Sequence, residues 1–175
     1  MKKHVSAALI LLLSLSVVGC AREAEKPAPP VASPPAADGE KPAEKLVYRN
    51  ADYGFEIALP DSWKGYQVLQ AKWEGVAIRD AATVATGPLI SIRHPSWTAQ
   101  NPRQDIPIQV FTMAQWNSLQ AGEFHIGAAP IGPKELGRNA NYVFALPARY
   151  NFAFPTGYEE VEQILAGNPL KATSK

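Results

Sequence analysis

One cysteine, three histidines and scattered serines and carboxylates are the side chains with reactive chemistry in this 175-residue chain. Cys20 is the sole thiol and has no partner for an internal disulfide, so its chemistry must lie elsewhere. His94, Asp105 and either Ser91 or Ser96 have the residue types of a Ser-His-Asp relay. No G-x-S-x-G elbow presents either serine as a nucleophile. His94, Glu123 and His125 are the one plausible metal-ligand group, and Glu123 and His125 share one side of the chain if it is extended. His94 lies about thirty residues away from them, which is not a recognisable zinc spacing. Phosphate-cradling glycine loops and dinucleotide fingerprints do not occur, and nothing in the chain calls for a cofactor. The last group is polar and aromatic: Arg93, His94, Trp97 and Arg103, on one strand end and its loop. Tryptophan beside arginine suits recognition of a sugar, peptide or protein surface. The plainer alternative is that Trp97 packs beneath its own loop as a satellite of the core.

The first twenty residues account for Cys20. Lys2 and Lys3 begin the chain, fifteen apolar or small residues run from Val5 to Gly19, and Cys20 follows directly. A charged start, an apolar core and a small-residue exit make an export signal. Fifteen residues fall short of the roughly 20 needed to span a bilayer as a helix. Val17-Val18-Gly19-Cys20 resembles the lipobox of bacterial lipoproteins, in which cleavage leaves the cysteine as the first mature residue. The resemblance implies acyl chains on Cys20 and anchorage at the cell membrane or outer membrane, with the protein facing the periplasm or cell exterior. Ala21, where aspartate often marks inner-membrane retention, points to the outer membrane if the host has two. One acyl chain binds a membrane only marginally, whereas two or more hold it stably.

Loss of residues 1–19 leaves fifteen basic and sixteen acidic side chains, a net charge of −1. From Leu46 onward there are eleven of each. Nucleic acid is therefore not an expected partner, because its binding needs concentrated positive charge. There is also no polybasic patch for anionic lipid, so membrane contact falls to the lipid on Cys20. Residues 21–45 hold six prolines and seven alanines, no aromatic residue, and Val31 as the one larger apolar side chain. Such a stretch cannot bury enough surface to offset its ordering entropy and is expected to be a disordered tether. At about 3.1 Å per residue in polyproline geometry, it reaches roughly 75 Å.

The elements that must position Arg93, His94, Trp97 and Arg103 lie in residues 46–175, a length suited to one domain. Strands are expected at 46–50 and 53–59, the second with Phe55, Ile57 and Leu59 on its core face. Strands at 66–72 and 76–79 follow, joined by a turn at Trp73-Glu74-Gly75. Further strands are expected at 89–93 and 106–111, with Pro107 at an edge or at the strand's start. Thr112 and Gln115 make a capping box for a helix with Met113, Trp116 and Leu119 on one face, stopped at Gly122. Residues 123–132 read as a loop and 133–136 as one helical turn. Strands at 141–146 and 148–154 follow, the latter with Tyr150, Phe152 and Phe154 on one face. Thr156 and Glu159 make a second capping box for a closing helix, which buries a stripe of Tyr158, Val161, Ile164 and Leu165 and ends at Gly167 with Pro169.

Tyr53-Gly54-Phe55 through Pro60-Asp61-Ser62-Trp63 resembles the opening pattern of the PsbP-like superfamily, whose other branch is the Mog proteins. The resemblance covers eleven residues and implies an α+β sandwich: an antiparallel sheet flanked by helices, ending in a C-terminal helix. It carries over no functional residue. The expected division is therefore a lipoprotein signal at 1–19, a lipidated tether at 20–45 and one α+β domain at 46–175. The expected role is a lipid-anchored, non-enzymatic binding or accessory module with an envelope protein, peptide or glycan as ligand. An envelope hydrolase or other enzyme built around His94 is the alternative.

Overall fold

The computed structural model describes residues 46–128 and 131–174. The expected signal, Cys20 and the expected tether lie outside the described residues. The described chain is α+β: two antiparallel sheets and two helices. The small sheet is formed by β1 (Leu46–Asn50), β2 (Phe55–Leu59) and β9 (Leu170–Ala172), with β2 in the middle. The large sheet contains β3 (Gln67–Ala77), β4 (Thr83–Arg93), β5 (Ile106–Thr112), β6 (Phe124–His125), β7 (Lys134–Arg138) and β8 (Tyr142–Leu146). Its order is β6-β3-β4-β5-β8-β7. Helix α1 spans Met113–Gln120 and α2 spans Tyr158–Ala166.

Strand alternation gives the large sheet two different faces. On the first, Ile90, Ile92, Ile106, Ile108, Val110 and Phe144 are at most 1 % exposed. Phe55, Ile57 and Leu59 of the small sheet, together with Val161 and Leu165 of α2, close over them. Trp63, in the short 3-10 turn Asp61–Trp63, is 1 % exposed in this same core. On the second face, α1 sets Trp116 against Trp73, Phe111, Phe124 and Val143. The α1 capping box forms as expected, with Gln115 N–H donating to Thr112 Oγ1 and Thr112 N–H donating to Gln115 Oε1.

Several elements differ from expectation. No turn occurs at Trp73-Glu74-Gly75: β3 runs through it, and the hairpin turns at 78–82, where Asp80 accepts from Ala82 N–H. Both strand glycines of this hairpin lie under aromatic rings. A Cβ on Gly75 would stand 2.4 Å from the Phe124 ring, and one on Gly87 would stand 2.6 Å from the Trp73 indole. Gly87, paired with Trp73, lets that indole lie across β4 and donate to the Val110 carbonyl at 2.9 Å. Glycine here serves close approach rather than turning.

Residues 133–136 make no helical turn. Lys134–Arg138 is an edge strand, with a bulge between Glu135 and Gly137 that hides its alternation. Nor is 148–154 a strand, because Arg149 and Phe154 have φ values of 55° and 45° and two hydrogen-bonded turns fold the segment. Phe152 and Phe154 are 72 % and 66 % exposed, so their alternation marks no core face. Pro107 stands near the start of β5 and not at an edge, since β5 lies between β4 and β8. The loop expected at 123–132 contains the two-residue β6, which buries Phe124. The second capping box does not form: Gly157 at φ 80° begins α2 with no side-chain cap. After α2 the chain does not stop at a helix, because β9 returns to pair with β2.

Candidate recognition site

Arg93 ends β4 on the second face of the large sheet, the face whose other half α1 covers. Register places residues of that face in rungs: Ala71, Leu89, Gln109 and Ala145 on one, and Leu69, Ser91 and Pro107 on the next. Gln67 and Arg93 come after them. Leu69, Leu89, Ser91 and Pro107 are only half-buried, in contrast to the sealed isoleucines behind them. This half of the sheet is partly open to solvent.

At its end, Arg93 makes a bidentate ion pair with Asp105: Nη2 reaches Oδ2 at 2.8 Å and Nε reaches Oδ1 at 3.1 Å. The hydrogen bond to Asp105 raises the guanidinium pKa above its ordinary value. With its donors fixed in plane, the Arg93 guanidinium stacks 3.9 Å from the centroid of Trp97. The half-buried indole belongs to neither core cluster. Arg93 and Trp97 therefore form one flat, half-buried unit at the rim of the open half-face, with a π surface and a cation partly open to solvent.

His94 turns inward, and Arg103, as half-buried as Arg93, is tied to α2. His94 is 7 % exposed, sets its ring edge-on to Trp63 at 5.2 Å, and accepts from the Ser96 backbone N–H through Nδ1 at 3.0 Å. Burial lowers its pKa, and the Arg103 charge lowers it further, against the opposing pull of Glu160 and the Ser62 backbone. Arg103 donates from Nη2 to Glu160 Oε2 at 3.3 Å. Glu160 Oε1 accepts from Ser62 Oγ at 2.7 Å and from Trp63 Nε1 at 3.2 Å. One carboxylate of α2 thus holds the loop carrying Arg103 and the turn carrying Trp63. Gly157 completes the joint, since a Cβ there would lie 2.8 Å from Arg103 Nη2.

The Ser-His-Asp candidates do not form a relay. Asp105 is taken by Arg93, and His94 Nδ1 accepts a backbone proton where a relay needs it to donate one. The metal candidates are also apart. His125 pairs with Val76 at one end of β3, and the strand residue before His94 pairs with Gln67 at the other. At about 3.3 Å per residue that separation is roughly 30 Å. Glu123 and His125 are exposed, and among the described residues no group of three or more His, Cys, Asp or Glu stands close enough to hold a metal ion.

Residues that sequence reasoning missed include Asp105 as the fixer of Arg93, Glu160, and Asn139. Asn139 donates to the Tyr53 and Gly54 carbonyls and accepts from Tyr142 N–H, clamping the β1–β2 turn to the β7–β8 turn. Its place between a basic residue and a strand marked a turn but not its partner. Gln109 is the fourth, 3 % exposed with no hydrogen-bond partner for Oε1 among the described residues. Comparison of the chain with family models, curated proteins and solved structures finds no match.

Proposed function

We propose that this chain is a lipid-anchored cell-envelope protein, held to the membrane through acyl chains on Cys20. Residues 1–19 are its signal and 20–45 its tether. Its domain, of the PsbP-like sandwich kind, acts as a non-enzymatic binding or accessory module. The observation carrying the binding role is the Arg93–Trp97 stack, fixed by Asp105 at the edge of a half-open sheet face. A side chain locked in plane before binding loses little rotamer entropy on contact, which favours a recognition role. The lipobox pattern carries the anchor, and the near-neutral domain supplies no concentrated positive charge for anionic lipid. The antiparallel sheet with flanking helices, and a Pro60-to-Trp63 turn that plugs the core, support the sandwich reading.

In-cell crosslinking of the anchored chain, followed by mass spectrometry, tests this against Trp97→Ala. The expected result is specific recovery of one envelope complex by the wild type and its loss in the variant, with circular dichroism and melting unchanged. A crosslinking pattern indifferent to Trp97→Ala would remove the recognition surface, and an unfolded variant would make Trp97 a structural residue.

A further inference from the structure

Phe152 and Phe154 stand in solvent on a segment whose backbone is held in place. Phe152 N–H donates to the Arg149 carbonyl and Phe154 N–H to that of Asn151, both at 2.9 Å. A left-handed φ of 45° on a residue as bulky as Phe154 costs energy and persists only where the surroundings fix it. The flanks of the tip are pinned to the domain. Gln104 donates from Nε2 to the Tyr150 carbonyl at 3.3 Å and from its backbone N–H to the Thr156 carbonyl at 2.9 Å. Asn151 Nδ2 donates to Glu162 Oε1 at 2.7 Å. Between them Phe152-Ala153-Phe154 is exposed throughout. The twelve residues from Pro147 to Tyr158 hold two Phe, two Tyr and two Pro, with Arg149 as their sole charge.

Strand register fixes the end of the domain at which this tip stands. β8 ends at Leu146, opposite the start of β7, and its neighbour β5 starts at the same end, beside the close of β4. In the small sheet Leu46 pairs with Leu59, and the chain runs on from there to Trp63, whose ring is 5.2 Å from that of His94, next to Arg93. Leu46 therefore enters the domain at the end that carries Phe152 and Phe154. At the opposite end lies the β3–β4 turn with Ile78, which is 65 % exposed.

We infer that the 147–155 loop is a membrane-contact surface, with Phe152 and Phe154 seated among the lipid headgroups. The inference rests on the anchor at Cys20 proposed above and adds a second contact to it. The proposed tether joins at Leu46, so the end bearing the two rings is the end held toward the bilayer, at high effective concentration. Aromatic rings favour the headgroup level, and a long arginine side chain can keep its charge in water while the rings beside it insert. Arg149 has that placement, 5.6 Å from the Phe152 ring centroid. The contact is apolar, so a near-neutral domain can make it.

The lipidated full chain in phosphatidylcholine vesicles, part of whose acyl chains are brominated, tests this through Phe152→Trp. The added emission, taken as the difference from wild type, is expected to shift to the blue and to be quenched by bromines about 5–10 Å deep, where interfacial side chains sit. Ile78→Trp should be neither shifted nor quenched. Adding Phe154→Ser to Phe152→Trp should weaken the quenching, while about 1 M salt, with a screening length of roughly 3 Å, should leave it unchanged. The mass of the purified chain and its flotation with vesicles report the anchor separately. If the chain is lipidated and floats but Phe152→Trp is quenched no more than Ile78→Trp, the contact surface is overturned and the anchor stands. Absence of acyl groups overturns both. Quenching abolished by salt overturns the apolar contact. Unquenched Phe152→Trp together with envelope crosslinks lost in Phe152→Ser assigns the loop to a protein partner instead.

Discussion

Replacing Glu160 with alanine should undo the joint that holds the loop carrying Arg103 to α2. The carboxylate receives Ser62 Oγ, Trp63 Nε1 and Arg103 Nη2. Each hydrogen bond to a charged group contributes about 1.5–3 kcal/mol when shielded from water. Here the side chains are 31 % and 21 % exposed for Glu160 and Arg103, so water replaces part of what is lost. Arg103 already has an unpartnered buried Nε, and without Glu160 its charge would have no counterion in the joint. Breaking a fully buried pair costs about 3–5 kcal/mol, and partial exposure brings the expectation to about 3 kcal/mol. For a domain of this size that is roughly a 10 °C fall in melting temperature. Urea unfolding followed by tryptophan fluorescence measures it, with Glu159→Ala, at an exposed neighbouring position, as the control. Glu160→Gln keeps an acceptor for Ser62 and Trp63 but loses the charge, and should fall between the two. If Glu160→Ala unfolds within about 0.5 kcal/mol of Glu159→Ala, as a plain surface change would, the joint does not hold the loop.

Gly87→Ala should displace the Trp73 indole, losing its bond to Val110 and crowding the α1 core, for a net cost of about 2–3 kcal/mol by urea unfolding; near-neutral stability would show that the indole yields easily. Because burial lowers the His94 pKa, the unfolded chain takes up that proton more readily. Its contribution is therefore complete above the ordinary value of 6.5 and shrinks as pH falls below it. Arg103 and Glu160 face the ring with opposite effects, so the difference in urea midpoint between pH 7.5 and pH 5.5 should be smaller in His94→Gln than in wild type; an equal difference would clear His94. Cys20→Ala should release the protein from membranes or stall its processing, and a membrane-bound variant of normal mature size would contradict the lipid anchor.

Local chemistry was legible and remote partnership was not. The core face of β2, the turn at Trp63, the α1 capping box and the glycine stop of α2 depend on residues within a few positions of one another. The turn expected at Trp73-Glu74-Gly75 failed because Gly75 answers to Phe124, forty-nine positions away. The strand expected at 148–154 failed for a related reason. Its alternating aromatics have the period of a core strand, but Pro147 and Pro155 flank a folded-back segment that leaves Phe152 and Phe154 in solvent. The four residues grouped by sequence proximity separate in space, because Pro95 ends the strand between them and successive side chains take opposite directions. Arg93 stacks on Trp97 at the rim of the sheet; His94 is buried against Trp63, and Arg103 is tied to Glu160.

That separation decides which residues to alter when binding is tested. Arg103→Ala, attractive from its place in the sequence, would confuse loss of a contact with collapse of the loop, since Arg103 is tied to Glu160. Trp97 lies outside both cores and can be truncated without opening either. The sheet behind it explains why such a surface is tolerable. Its first face is sealed by the small sheet and α2, so stability does not rest on the second face being fully covered. The uncovered half mixes Leu69, Leu89 and Pro107 with Ser91 and Arg93, apolar enough to give area and polar enough to stay wetted. A domain stabilised from one side can leave part of the other for recognition, and the ion pair with Asp105 keeps that part rigid.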